Sequence, residues 1–176
     1  GIEFPLNPIK YSWRDIKLVT SDLPILRVTM GIAFFWSLAA LAQLNIDTFV
    51  INNLNMGQTS VGQYLAVLSL GVGIGSVLAG LWSCGRVELG MVPLGTVLMA
   101  LACVVAYFSS ESWWIFGISL AMIGIGGGLF NVPLNAYMQD RSPRESLGAI
   151  LAACHQITSI GVLAVSILFP FLRNGL

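Results

Sequence analysis

The sequence predicts an all-α membrane protein, a helical bundle crossing the bilayer five times. Three observations carry that expectation. Of the 176 residues, 56% are hydrophobic and only 9% are charged, against about 25% charged in an ordinary soluble domain. Eight acidic and eight basic side chains cannot clothe a water-exposed surface of this size. Five apolar runs are each long enough to cross a bilayer, which takes about 20 residues in a helix, and they lie at 23–50, 61–84, 91–108, 113–138 and 147–172. Numbering the span ends alternately puts Lys10, Arg14, Lys17, Arg27, Arg86, Arg141 and Arg144 on one side and Arg173 alone on the other. That asymmetry follows the positive-inside rule, and a missed span would scramble it. It predicts an N-terminus in the cytoplasm and a C-terminus outside.

Composition also narrows the function. The net charge is zero, so nothing draws the chain to nucleic acid. Cys84, Cys103 and Cys154 lie in or beside apolar runs without CxxC or metal spacing and read as packing residues. No cofactor motif, metal set, Ser/His/Asp triad, Cys/His pair or paired carboxylate is visible, so an enzyme is not expected. Recurring apolar runs argue against a signal peptide. The chain opens on GIEF without a methionine and reads as a piece of a longer protein.

Residues 1–22 form a cytoplasmic linker ahead of the bundle at 23–176. Ile9, Trp13 and Ile16 recur at i, i+4 and i+7, with Lys10, Arg14 and Lys17 as the neighbouring stripe. The pattern suits a short amphipathic helix on the cytoplasmic leaflet, with Tyr11 and Trp13 at headgroup level; the alternative is a plain linker. The spans that follow are helices, because an open sheet cannot satisfy its backbone in lipid. NNLNMGQTS, GRVELG, SSES and QDRSPRES separate them. Ser142-Pro143-Arg144-Glu145 has the capping-box form with proline at the first helical position, and Ser60-Val61-Gly62-Gln63 has the S-x-x-Q form.

The second span places Gly71, Gly75 and Ala79 four apart, and the fourth places Gly124 and Gly128 likewise. Small residues at this spacing let membrane helices approach closely. The run Gly126-Gly127-Gly128 is followed by Leu129 and Phe130 rather than the lysine of a phosphate loop, so packing explains it better. Shifting the chain by 86 residues lays Gly62, Leu65, Ala66, Ile74 and Gly75 on Gly148, Leu151, Ala152, Ile160 and Gly161. The two spans cross in opposite directions, the arrangement of an inverted repeat.

The third span has nothing more polar than Thr96 and is expected to face lipid. Elsewhere polar groups lie at depth. Gln43 and Asp47 are one turn apart on the first span, Gln63 is on the second, and His155 and Gln156 are on the fifth. Asn131, Asn135 and Gln139 share one face of the fourth, with Pro133 between the asparagines. A charge at mid-bilayer costs on the order of 3 kcal/mol on insertion scales, so such groups face protein or water. The asparagine face is either a cavity wall or an interhelical hydrogen-bonding surface. Asp47 is either a solvated helix end or a proton or substrate site, and His155 either a packing group or a relay.

These residues resemble the C-terminal half of a major facilitator superfamily transporter, from the linker helix through helices seven to eleven. GLWSCGRVELG stands where that family carries a Gly-rich cytoplasmic motif; Gly80, Gly85, Arg86 and Gly90 remain, the usual aspartate is absent, and Glu88 is the acid nearby. GGGLFNVPLNAYMQDRSPRESLGAILAA resembles the lysophospholipid transporter branch, whose members are sometimes fused to an acyltransferase. The resemblance implies that helices seven, eight, ten and eleven line a path holding Gln43, Asp47, Gln63, Asn131, Asn135, His155 and Gln156. It also implies partners: membrane lipids, an N-terminal half, and a fused or associated acyltransferase. The expected function is part of a secondary transporter carrying a lysophospholipid across the bacterial cytoplasmic membrane by alternating access. The alternatives are another amphipathic solute or drug, or a non-transporting scaffold for the acyltransferase. Arg86, Glu88, Asp140 and Arg141 at the cytoplasmic ends are either gating charges or topogenic loop charges.

Overall fold

The computed structural model describes residues 8–83, 87–108 and 112–174. They form α1 (Pro8–Ser21), α2 (Leu23–Asn52), α3 (Gln58–Ser83), α4 (Met91–Phe108), α5 (Trp113–Arg141) and α6 (Leu147–Asn174). Five of these, α2 through α6, are long and apolar enough to cross a membrane. The expected fold class, an all-helical bundle of five spans behind a short first helix, is the one observed. Contacts group the chain into two compact units, one from the described residues of 1–38 and 138–176, the other from 39–137.

In the second unit, α5 is closely approached by α3 on one side and α4 on another. A methyl group at Gly71 would run into the Ala121 carbonyl oxygen, and one at Gly75 into that of Ile125. In return, a methyl at Gly128 would lie 2.6 Å from the carbonyl carbon of Gly75. The contacts advance together along both helices, so α3 and α5 run parallel. On the other side, a methyl at Gly95 would lie 2.5 Å from the Gly126 carbonyl oxygen and 3.0 Å from the Phe130 amide nitrogen. Gly126 in turn abuts Met99 of α4. This register runs backwards, so α4 is antiparallel to α5. Strict alternation of crossings requires both results. The triple glycine thus serves two neighbours, with Gly128 turned to α3 and Gly126 to α4. Each glycine in a helix interior costs about 1 kcal/mol against alanine. Close backbone approach offsets that in a membrane, where burial of apolar surface does not drive helices together.

Apolar clusters fill both ends of this unit. Ile46 and Val50 of α2, Val61 and Tyr64 of α3, and Phe116 and Leu120 of α5 form one. Tyr64 stacks edge-on against Phe116 with centroids 5.2 Å apart, and its hydroxyl donates to the Trp113 carbonyl at 3.3 Å. Ala79, Met91 and Leu129 form the other, towards the opposite ends of α3 and α5. Between α2 and α3, Asn55 takes the left-handed conformation (φ 52°), which asparagine tolerates better than most residues. The chain turns there, and the Met56 N–H reaches the Val50 carbonyl at 3.1 Å.

In the first unit, α1 packs along α6. Of the Ile9/Trp13/Ile16 stripe, Ile16 is half-buried and Trp13 exposed, and the Ile9 side chain lies outside the described residues. Val19 is fully buried while Trp13 is 72% exposed, and Ser12 reaches α6 by a hydrogen bond. The chain turns from α1 into α2 at Asp22, whose Oδ1 accepts from the Ile25 N–H at 3.3 Å and whose carbonyl accepts from the Leu26 N–H at 2.9 Å. This is N-cap geometry, with Pro24 in the first turn. Farther along, Thr29 and Thr158 flank the Cys154 thiol, and a methyl at Gly161 would lie 2.7 Å from Ser37 Oγ.

Both predicted capping motifs are corrected. The Ser142 hydroxyl donates back to the Met138 carbonyl at 2.6 Å, closing α5 instead of opening α6. α6 begins at Leu147, after a turn in which the Ser146 N–H meets the Pro143 carbonyl at 3.0 Å. Ser60 lies inside α3, which starts at Gln58, and its N–H donates to the Gly57 carbonyl at 2.9 Å. In each case the chain entered its turn earlier or later than the motif implied, so the hydroxyl met a different backbone group.

The 86-residue echo has a structural counterpart. Gly62 and Gly148 both face open space, whereas Gly75 and Gly161 are both points of close approach. Ile74 and Ile160 are both exposed. Equivalent positions therefore occupy like environments on α3 and α6, each within its own unit.

Candidate functional site

Asn131 and Asn135 lie one turn apart on α5, both half-buried. The Asn135 Nδ2 group donates to the Asn131 carbonyl at 2.8 Å and to Asn131 Oδ1 at 3.0 Å. Pro133 between them has no N–H, so the Leu129 carbonyl loses its usual helical donor. By helical register the pair prolongs the Gly124/Gly128 face towards the end of α5. Two groups remain outside the pair's own bonds: the Asn131 Nδ2 hydrogens as donors and Asn135 Oδ1 as acceptor. Neither has a hydrogen-bond partner among the described residues. Two amides thereby act as one edge, held rigid by its internal bonds.

Among the described residues, no other polar side chain of this unit is hydrogen-bonded to that pair. Gln43 and Asp47 are exposed on α2. Gln63 is exposed on α3, on the face that carries Leu70 and Ile74, 68% and 53% exposed. A shallow apolar groove on α3, lined by Ala66, Ser69, Gly73 and Val77 among others, contains none of these polar groups.

In the first unit, His155 is exposed on α6, and its carbonyl accepts from the Ser159 hydroxyl at 2.8 Å. Gln156 points elsewhere. Its Nε2 donates to Ser12 Oγ of α1 at 2.8 Å, while its Oε1 is buried without a hydrogen-bond partner among the described residues. Among the terminal charges, Arg141 Nε lies 3.4 Å from Asp22 Oδ1. Asp140 is exposed, as is Glu88 of the second unit, and Arg86 lies outside the described residues.

Ser12 and Asp22 were passed over in the sequence. Asp22 had a readable signal, since aspartate followed by Leu23-Pro24 at the mouth of a span is an N-cap signature. Ser12 had none, because its partner lies 144 positions away. Among the described residues no three His, Cys, Asp or Glu side chains gather in a metal-binding group.

The family model of the Major Facilitator Superfamily matches residues 5–172. No curated protein and no solved structure matches the chain.

Proposed function

The chain belongs to the Major Facilitator Superfamily and is part of a secondary transporter embedded in a membrane; from that premise we propose that its cargo is a lysophospholipid, carried across the bacterial cytoplasmic membrane by alternating access. The observation that carries this reading is the Asn131–Asn135 edge. It offers two donors and one acceptor, already oriented, beyond the long apolar stretch of α5. A lipid headgroup needs a few fixed polar contacts and its acyl chain an apolar wall; preorganised amides supply the first at low entropic cost. The resemblance of GGGLFNVPLNAYMQDRSPRESLGAILAA to the lysophospholipid branch selects the cargo among solutes that such an edge could bind.

In this reading Gln43, Asp47, Gln63, His155 and Gln156 contribute to the same path. The N-terminus lies in the cytoplasm, as the basic residues suggest, and an N-terminal half completes the pathway. The glycine contacts of α3 with α5 leave no side chains to interlock, so these helices tilt against each other at small cost as the transporter rocks. Arg86, Glu88, Asp140 and Arg141 bias the rocking equilibrium from the cytoplasmic ends; exposed pairs contribute about 0–1 kcal/mol each, enough to tune but not to lock. An associated acyltransferase would consume the delivered lipid.

Uptake of labelled lysophosphatidylethanolamine by cells carrying the full-length protein tests the proposal. Asn131→Leu and Asn135→Leu should each abolish most uptake at normal expression. Undiminished uptake in both would remove the asparagine edge from the headgroup site.

A further inference from the structure

α1 packs along α6 and is tied to it by a side-chain hydrogen bond. Val19, fully buried, lies on the same face of α1 as Ser12. About two turns away, the link to α6 is polar: Gln156 Nε2 donates to Ser12 Oγ at 2.8 Å. The same amide's Oε1 is buried and accepts no hydrogen bond among the described residues. An unsatisfied buried carbonyl oxygen carries a desolvation penalty larger than the net gain of an ordinary hydrogen bond. Asp15, one turn from Ser12 on the same helix, has its carboxylate mostly buried as well, with Arg14 Nε at 3.5 Å from Oδ1. The outward side of α1 meanwhile keeps Trp13, Lys17 and Leu18 exposed. Among the described residues, α1 is thus linked to α6 by a side-chain hydrogen bond that leaves Gln156 Oε1 bare, a penalty that release would relieve.

We propose that α1 is a strap: docked on α6 through Ser12 and Val19 it occupies the Gln156 amide, and undocking hands that amide to water or to cargo. Docking satisfies the amide's donor and leaves its acceptor bare, so any ligand offering a hydroxyl or ammonium to Oε1 competes with the docked state. The geometry also accounts for the short α1–α2 junction. Asp22 caps α2 and pairs with Arg141, so the hinge end of α1 stays fixed while its Ser12 end swings. That Gln156 meets cargo rests on the transport reading above; that α1 covers and uncovers it does not.

The test separates the two. In the full-length protein with Cys84, Cys103 and Cys154 replaced, Ser12→Cys is labelled in membranes with a water-soluble maleimide, Gln156 being kept, and the rate is compared in three backgrounds. Val19→Ser and, more gently, Gln156→Ala should raise the rate severalfold by loosening the strap, while Lys17→Ala on the outward face should leave it unchanged. A short bifunctional thiol reagent joining Ser12→Cys to Gln156→Cys should react in the resting protein, and its yield should fall in the Val19→Ser background. Equal maleimide rates in all backgrounds, with crosslinking insensitive to Val19→Ser, would overturn the strap. Added lysophosphatidylethanolamine should speed maleimide labelling. If it fails to do so while the Val19 and Gln156 variants behave as stated, the strap stands and the proposed cargo falls.

Discussion

Gly71 and Gly124 meet backbone to backbone: a methyl on the first would lie 3.1 Å from the Cα of the second, and a methyl on the second 3.0 Å from the carbonyl carbon of the first. No side chain fits between α3 and α5 at this level. The same helices repeat the contact one turn on, between Gly75 and Gly128.

Substituting the contact glycines therefore has a different sign from substituting their neighbours. Gly75→Ala and Gly128→Ala should each destabilise by about 1–3 kcal/mol, the usual cost of overpacking. Gly73→Ala, on the same helix but facing open space, should be neutral or stabilising by up to about 1 kcal/mol through helix propensity. Thermal unfolding in detergent ranks the three. Equal losses at Gly73 and Gly75 would contradict the observed register.

Asp22 has two separable roles. Asp22→Ala removes both the cap, about 1 kcal/mol, and the ion pair with Arg141, about 0–1 kcal/mol. Asp22→Asn keeps a capping oxygen and loses only the charge, so it should resemble Arg141→Gln. Raising the salt concentration should shrink the effect of Arg141→Gln and leave the excess cost of Asp22→Ala over Asp22→Asn in place. A salt-insensitive Arg141→Gln effect would show that the pair contributes nothing electrostatic.

Ser37 and Gly161 make a compensating pair. Gly161→Ala brings a methyl to 2.7 Å from Ser37 Oγ, which is itself held by the Ala33 carbonyl at 2.7 Å. Gly161→Ala alone should destabilise. With Ser37→Ala added, part of the loss should return, giving a coupling of about 0.5 kcal/mol or more in a double-mutant cycle. Strict additivity would mean that the two helices do not meet at these residues.

Ser142 and Glu145 distinguish the capping box of the sequence from the turn of the structure. Ser142→Ala should cost about 1 kcal/mol by removing the buried bond to the Met138 carbonyl. Glu145→Ala should be near neutral, because the reciprocal half of the box is absent. Similar losses from both, measured as melting temperatures, would restore the box.

Much of the fold was legible because a membrane helix is written in a local code. The lengths of the apolar runs around Phe35, Ile74, Val97, Ile118 and Leu163 suffice to class the chain and count its spans, since hydrocarbon tolerates little else. The four-residue spacing of Gly71 and Gly75 marks one face of α3 in the same local way. Caps were less legible. Ser60 and Ser142 match their motifs, yet a shift of two or three residues in where a turn begins gives each hydroxyl another backbone partner. The candidate site was read as a set of residue types at depth, and that set is not a geometry. Asn131 and Asn135 are four apart on one helix, so their pairing follows from spacing alone. That Gln156 bonds Ser12 could not be read from type or spacing, because 144 positions separate them.

By itself the sequence determined what solvent this protein lives in, how many times it crosses, and which helix faces carry small or polar side chains. Those properties depend on transfer free energies and helical periodicity, both local. Tertiary structure alone decided which small face meets a neighbour: Gly71, Gly75, Gly124, Gly126 and Gly128 are contacts, while Gly62, Gly73 and Gly80 look into open space. It also decided that Arg141 reaches Asp22 across 119 positions and that Gln156 holds α1. The physical reason is that periodicity specifies the direction in which a side chain leaves its helix, whereas the identity of what it meets depends on the packing of distant segments.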